Sequence, residues 1–308
     1  MGINFKIFFI VLVLSSFFWW GINFFQENLE KFFYAQISQP FQEITFAKRP
    51  AKPKKPKLNL QVKSAFSVKI NRVGKERILF KKNSAQILPI ASLTKLMTAL
   101  IVLEDPENYN FSEIITISKE AAAQENVPEY GNLKPGERIS IEKLLDLTLI
   151  YSSNDAALAL AEVIGIENFV ERMNQKAKIL GLESTHFINP TGLDPENLSY
   201  KEEAKDYFNH STAQDLVKLA QHILKNQPLI FEISLKKEPY LIENGLSDLS
   251  LPEGQKIIGG KTGYTYEAGG CMLLVSEDEK ENYFFQVILG TISPLTRVKE
   301  MQKLINNI

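Results

Sequence analysis

Strand-like segments occupy both ends of the second part of this chain and helical ones its middle, and that order limits the available folds more than any other feature. Residues 64–70 and 77–80 are apolar and β-branched around the polar stretch 71–76, the pattern of a hairpin. Strand character returns at 239–242, 257–262, 270–275 and 283–289, with a closing helix over 294–305. Between them residues 92–225 read as mainly helical. An amphipathic helix over 141–150 runs into Ser152, and a second over 155–164 has Ser153 or Asn154 as its cap. A third covers 212–220. Strands from distant ends around a helical insert predict an α+β fold: one antiparallel sheet from 58–91 and 226–308, helices on both faces, and a helical subdomain at 92–225.

The first 57 residues follow different rules. Residues 7–25 hold 19 positions without a charge, about 28 Å as a helix, close to a hydrocarbon core. Lys6 ahead of the run favours a cytoplasmic N-terminus, and Trp19, Trp20, Phe24 and Phe25 suit the outer interface. A cleaved signal peptide is the rival reading, but no small-x-small cleavage site follows. Residues 1–25 are therefore expected to anchor the chain, or else to export it, with the body extracytoplasmic in either case. Residues 26–57 form a tether with Pro40, Pro50, Pro53 and Pro56 among six cations: Lys48, Arg49, Lys52, Lys54, Lys55 and Lys57. Taking those six from 35 basic residues leaves 29 against 36 acidic ones, which excludes a nucleic-acid-binding body.

Three short motifs lie in the body. Ser92-Leu93-Thr94-Lys95 places a hydroxyl and an amine on one helix face, behind a turn at 88–91 and ahead of an apolar helix. Free N–H groups in that first turn favour developing negative charge. Ser152-Ser153-Asn154 falls at a helix–helix junction, where side chains project into a cleft. Lys261-Thr262-Gly263 falls on a strand, and is followed by Tyr264.

In the order Ser-x-x-Lys, Ser-x-Asn, Lys-Thr-Gly, these motifs resemble those of penicillin-recognising serine enzymes. Together with residues 89–98, 152–157 and 187–194, they make the chain similar to the D-alanyl-D-alanine carboxypeptidase family of low-molecular-mass penicillin-binding proteins. The resemblance runs from about residue 60 to the end. It implies a groove between the sheet and a helical subdomain, with Ser92 as nucleophile and a neutral Lys95 as its base. Burial and a nearby cation, Lys261, would lower the lysine pKa. Ser152 would relay a proton to the leaving amine, and Asn154 would hold Lys95 and the substrate amide. Lys261 and Thr262, on an edge strand, would pair with substrate and bind its terminal carboxylate. Gly263 would keep that strand clear where substrate approaches. The N–H groups of Ser92 and Tyr264 would form the oxyanion hole. Arg297 would help hold the carboxylate. The chain ends 47 residues after Lys261, so the resemblance implies anchoring through the N-terminus.

The expected partners are a peptidoglycan stem peptide ending in D-Ala-D-Ala, β-lactams as covalent inhibitors, and a membrane; no cofactor and no metal is expected. His186, His210 and His222 lack metal spacing, and Cys271 reads as a small buried hydrophobe. A D,D-endopeptidase would use the same residues. A β-lactamase would need a Glu-x-x-Leu-Asn segment between Asn154 and Lys261, and none occurs. A non-catalytic wall-binding protein would have no need of the Ser92–Lys95 pair.

Overall fold

The computed structural model describes residues 5–37, 58–124, 132–198, 208–236 and 245–308. The chain divides into two compact units, Met1–Lys57 and Leu58–Ile308. In the first, α1 (Phe5–Ile37) is long and apolar enough to cross a membrane by length and composition, and its apolar side chains are exposed. Residues 38–57, the rest of the expected tether, lie outside the described residues.

The second unit is built on a five-stranded antiparallel sheet. Its strands are β1 (Ser64–Ile70), β2 (Glu76–Lys82), β7 (Gln255–Thr265), β8 (Gly269–Asp278) and β9 (Tyr283–Thr291), in the order β2-β1-β9-β8-β7. The two ends of the unit meet where Ser64 pairs with Leu289 and Ile70 with Tyr283, as the strand–helix–strand order of the sequence demands. The expected strand at 239–242 lies outside the described residues.

Three short strands, β3 (Leu88–Pro89), β4 (Ile114–Thr116) and β5 (Arg138–Ser140), lie between, as does β6 (His210–Ser211). The helices are α2 (Lys95–Leu103), α3 (Lys119–Ala122), α4 (Ile141–Asp146), α5 (Asn154–Glu162), α6 (Ile166–Ile179), α7 (Ala213–Asn226), α8 (Leu229–Ser234) and α9 (Pro294–Asn307).

Period-2 alternation assigns the two faces of the sheet. Met272, Leu274 and Ile288 pack under Met301, Leu304 and Ile305 of α9. Leu273, Val275, Val287 and Leu289 join the larger core with α7 and α8. Although α7 belongs to the mainly helical stretch, it packs on β1 and β9 and so completes the sheet's own layer. At the centre is α2, apolar all round, with Lys95 to Val102 buried. A helix of that composition must be enclosed, and α5, α6 and α8 enclose it.

Candidate active site

The turn that carries Ser92 is held by backbone conformation as much as by packing. Ala91–Thr94 forms one 3-10 turn that runs directly into α2. Ala91 has φ +47°, a left-handed value costly for a residue with a Cβ. Its carbonyl is boxed in by Gly192, where an added Cβ would come within 2.1 Å of the Ala91 oxygen. Gly192 itself has φ +85°, so the 189–194 loop and the Ser92 turn fit only with glycine there.

Lys95, wholly buried, donates from Nζ to Ser92 Oγ at 3.0 Å, to Asn154 Oδ1 at 2.7 Å and to the Thr191 carbonyl at 2.6 Å. The first two motifs are thus joined through one nitrogen. The Thr191 carbonyl is a contact that the side-chain pattern could not show. Thr98 Oγ1 donates to the Pro190 carbonyl at 2.6 Å and fixes the same loop to α2.

The middle motif departs from the expected continuous helix over 141–150. There α4 ends at Asp146, and Leu147–Tyr151 forms a single π turn, a device frequent at functional sites. It ends at Ser152, which has φ +63°. That left-handed residue turns Ser152 Oγ into the groove, while Ser153 accepts from the Ala156 N–H and caps α5. Asn154 begins α5, one position after the cap.

The third motif arrives on β7, the sheet's edge strand, as the sequence predicts. Lys261 Nζ donates to Ser152 Oγ at 2.8 Å and to the Thr262 carbonyl at 2.9 Å. Burial first, then the charges of Lys95 and Arg297, hold the Lys261 pKa well below the usual lysine range. Thr262, paired with Met272, points to the opposite face, towards α9. From that side the buried Arg297 donates from Nη1 to the Gly263 carbonyl at 2.9 Å. Arg297 is therefore in direct contact with the Lys-Thr-Gly strand.

The space beside Gly263 is not open to a substrate. An added Cβ would approach the Ser92 nitrogen to 2.8 Å and Ala91 Cβ to 3.1 Å, so the chain's own Ser92 turn fills it. The glycine is required for close packing of strand on turn, which sets the Ser92 amide beside β7. Tyr264 follows, about half exposed, at the rim.

Two supports lie outside the three short motifs. Asn209 is buried and its amide nitrogen donates to Thr94 Oγ1 and the Asn189 carbonyl at 3.0 and 2.8 Å. Its Oδ1 accepts from the Ile188 and Asn189 N–H groups. Asp194 accepts from Thr265 Oγ1 at 2.9 Å, joining the 189–194 loop to the end of β7. Burial chiefly, with Glu196 and Glu267 adding, raises the Asp194 pKa. Among the described residues no three His, Cys, Asp or Glu side chains cluster as metal ligands. Cys271 is buried beside the Pro89 carbonyl, its thiol pushed up to about 11 mainly by burial.

The chain is similar to known proteins in sequence and in fold. The family profile of D-alanyl-D-alanine carboxypeptidases matches residues 51–292. The carboxypeptidase DacF of Bacillus subtilis is 33% identical over 277 residues, covering 86% of this chain and 66% of that one. A D-alanyl-D-alanine endopeptidase of Haemophilus influenzae is 34% identical over 223 residues, 69% of this chain and 70% of that one. The cefotaxime-bound crystal structure of penicillin-binding protein D2 from Listeria monocytogenes superposes with a TM-score of 0.64 at 27% identity, over 82% of this chain and 98% of that one. Against the carboxypeptidases DacF and DacD the chain spans between 58% and 66% of their length. By profile, sequence and fold, this chain belongs to the D-alanyl-D-alanine carboxypeptidase family.

Proposed function

We propose that this protein is a membrane-anchored serine D,D-peptidase that removes the terminal D-alanine from peptidoglycan stem peptides. The observation that carries the reading is the position of Lys95 Nζ, wholly buried and within hydrogen-bond reach of both Ser92 Oγ and Asn154 Oδ1. A neutral Lys95 takes the Ser92 proton as Oγ attacks the penultimate D-alanine carbonyl. The Ser92 and Tyr264 N–H groups receive the oxyanion. Ser152, bonded to Lys261, passes a proton to the departing D-alanine nitrogen. Substrate lies along β7, its amide on Asn154 and its carboxylate held by Thr262, Lys261 and Arg297. Water then releases the acyl group from Ser92. A β-lactam acylates the same oxygen and remains, because no Glu-x-x-Leu-Asn segment between Asn154 and Lys261 supplies a deacylating base. In this reading α1 crosses the membrane with the N-terminus in the cytoplasm, and Leu58–Ile308 works outside.

Cross-link cleavage is the second reading, favoured by identity with the Haemophilus influenzae endopeptidase. The test compares native protein with Ser92→Ala on a pentapeptide ending in D-Ala-D-Ala, on a cross-linked dimer and on fluorescent penicillin. Released D-alanine and a stable penicillin adduct, both absent in the variant, support the carboxypeptidase. Preferential dimer cleavage selects the endopeptidase, and repeated penicillin turnover a β-lactamase. Muropeptide binding with no reaction rejects both peptidase readings.

A further inference from the structure

All five strands of the sheet come to one end beside the nucleophile turn, and that end is apolar on its outside. There β1 begins, β2, β7 and β9 finish, and β8 begins: Ala65 pairs with Lys82, Ser64 with Leu289, Gly270 with Thr291 and Thr265 with Gly269. Tyr266 is 90% exposed, Leu295 85% and Ile292 82%, and Tyr264 is about half exposed. These four side chains form one patch. Gly270 pairs with both Tyr264 and Thr291, and an added Cβ on it would lie 2.8 Å from the Ser293 carbonyl. The start of α9, with Ile292 and Leu295, therefore stands beside the tyrosines of β7. Isolated exposed hydrophobes need no explanation, but a cluster of aromatic and aliphatic side chains at one tip marks an interaction surface.

The charges at this end say what covers it. Lys63 is fixed here, immediately before β1, where its N–H donates to the Leu289 carbonyl at 3.0 Å. Lys63 and Lys81 are both exposed. Cations around an apolar, tyrosine-bearing centre match a bilayer with anionic headgroups. The nearby acids Glu267 and Glu196 stand on the groove side, around Asp194. We propose that this tip docks on the surface of an anionic lipid bilayer, with Tyr266, Ile292 and Leu295 in the interfacial zone and Lys63 and Lys81 at the phosphates. The end of the groove then lies at the membrane. Because the anchored chain cannot diffuse away, its effective concentration at the surface is high and a small patch suffices. The inference rests on the anchoring part of the functional reading and not on the chemistry of Ser92.

The test uses full-length protein in nanodiscs of mixed neutral and anionic phospholipid, with an environment-sensitive fluorophore on Leu295→Cys. The buried Cys271 does not compete for label. Ile179→Cys, 76% exposed at the end of α6, is the reference. The expected result is blue-shifted emission at 295, and quenching by shallow spin-labelled lipid at least threefold greater than at 179. Exchanging Lys63 and Lys81 together for Glu, with thermal unfolding unchanged, reduces that quenching at least twofold. Equal quenching at the two positions overturns the proposal. So does a blue shift that lipid does not quench, which signals a protein partner or a second copy. Chain that fails to insert into the nanodisc removes the anchor and the proposal with it. Penicillin labelling of Ser92, measured on the same sample, reports separately on the catalytic reading.

Discussion

Gly263 stands so close to Ser92 that a methyl group on it would come within 2.8 Å of the Ser92 nitrogen. The other near atoms, Ala91 Cβ and the Ile90 carbonyl, belong to the same turn, whose backbone is already strained at Ala91. Gly263→Ala must therefore separate strand from turn. Overpacking of this kind costs about 1–3 kcal/mol, and most of the distortion falls where Ser92 and Tyr264 would receive the oxyanion. The expected outcome is a fall of at least tenfold in the rate of acylation by fluorescent penicillin, with a loss in Tm of only a few degrees. Acylation at the native rate would show that the turn and β7 move independently.

Lys261 gives a stability effect with a definite sign. Its pKa is depressed by burial, Lys95 and Arg297, so between that lowered value and the ordinary 10.5 the unfolded chain binds a proton that the folded one does not. Stability consequently rises with pH through that window, and at neutral pH the group is a net cost to folding. Lys261→Met removes the cost. We expect higher Tm at pH 7, at roughly 2–4 °C per kcal/mol in a domain of this size, an advantage that shrinks towards pH 10.5, and penicillin labelling lost. Thermal scans from pH 7 to 10 read the trend, and a Tm gain that grows with pH would contradict it.

What the sequence disclosed and what it hid divide along physical lines. Ser92 and Lys95 share a helix face by spacing alone, and the alternation of residues 257–262 and 270–275 marks strands whichever partner they find. The contact of Lys95 with the Thr191 carbonyl was invisible, because every residue has a carbonyl and only the fold selects one. The π turn at Leu147–Tyr151 was hidden for a related reason: its residues have ordinary helical periodicity, and tertiary packing imposes the extra backbone step. A glycine at 263 suggests a close approach without naming what approaches, and in the fold the near group is the Ile90–Ser92 turn. Asn209 lies in no motif, and its role comes wholly from contacts with segments distant in sequence.

Asp194 ties the loop behind Lys95 to β7, and its charge is a burden to that tie. Its raised pKa means that from 3.8 up to that value the folded carboxyl keeps a proton the unfolded one has lost. Stability then falls as pH rises through the window. Asp194→Asn keeps an acceptor for Thr265 Oγ1 without the charge, so it should be at least as stable as the native protein at pH 7. That margin should vanish as the pH is lowered towards 3.8. Asp194→Leu instead leaves the Thr265 hydroxyl without its acceptor and should cost about 1–3 kcal/mol. Urea unfolding at pH 7 and pH 4 separates the two, and equal losses for both variants at pH 7 would refute the assignment.

Asn209 tests whether the site is built by its supports as well as its reactive groups. The amide binds the Thr94 hydroxyl in the Ser92 turn on one side and the 188–189 backbone behind Lys95 on the other. Asn209→Ala deletes five hydrogen bonds in a buried site, each worth about 0.5–1.5 kcal/mol net, so a total loss of roughly 2.5–7.5 kcal/mol is expected. Asn209→Asp is the sharper probe. It is nearly isosteric and keeps an acceptor for the Ile188 and Asn189 N–H groups, but turns a carboxylate oxygen towards the Asn189 carbonyl. Both variants should slow acylation of Ser92 by one to two orders of magnitude. For Asn209→Ala the pH at which acylation is half-maximal should not move, since Lys95 keeps Ser92, Asn154 and Thr191 as partners. A shifted profile would mean that Asn209 acts on the ionisation of Lys95 and not on the placement of Ser92.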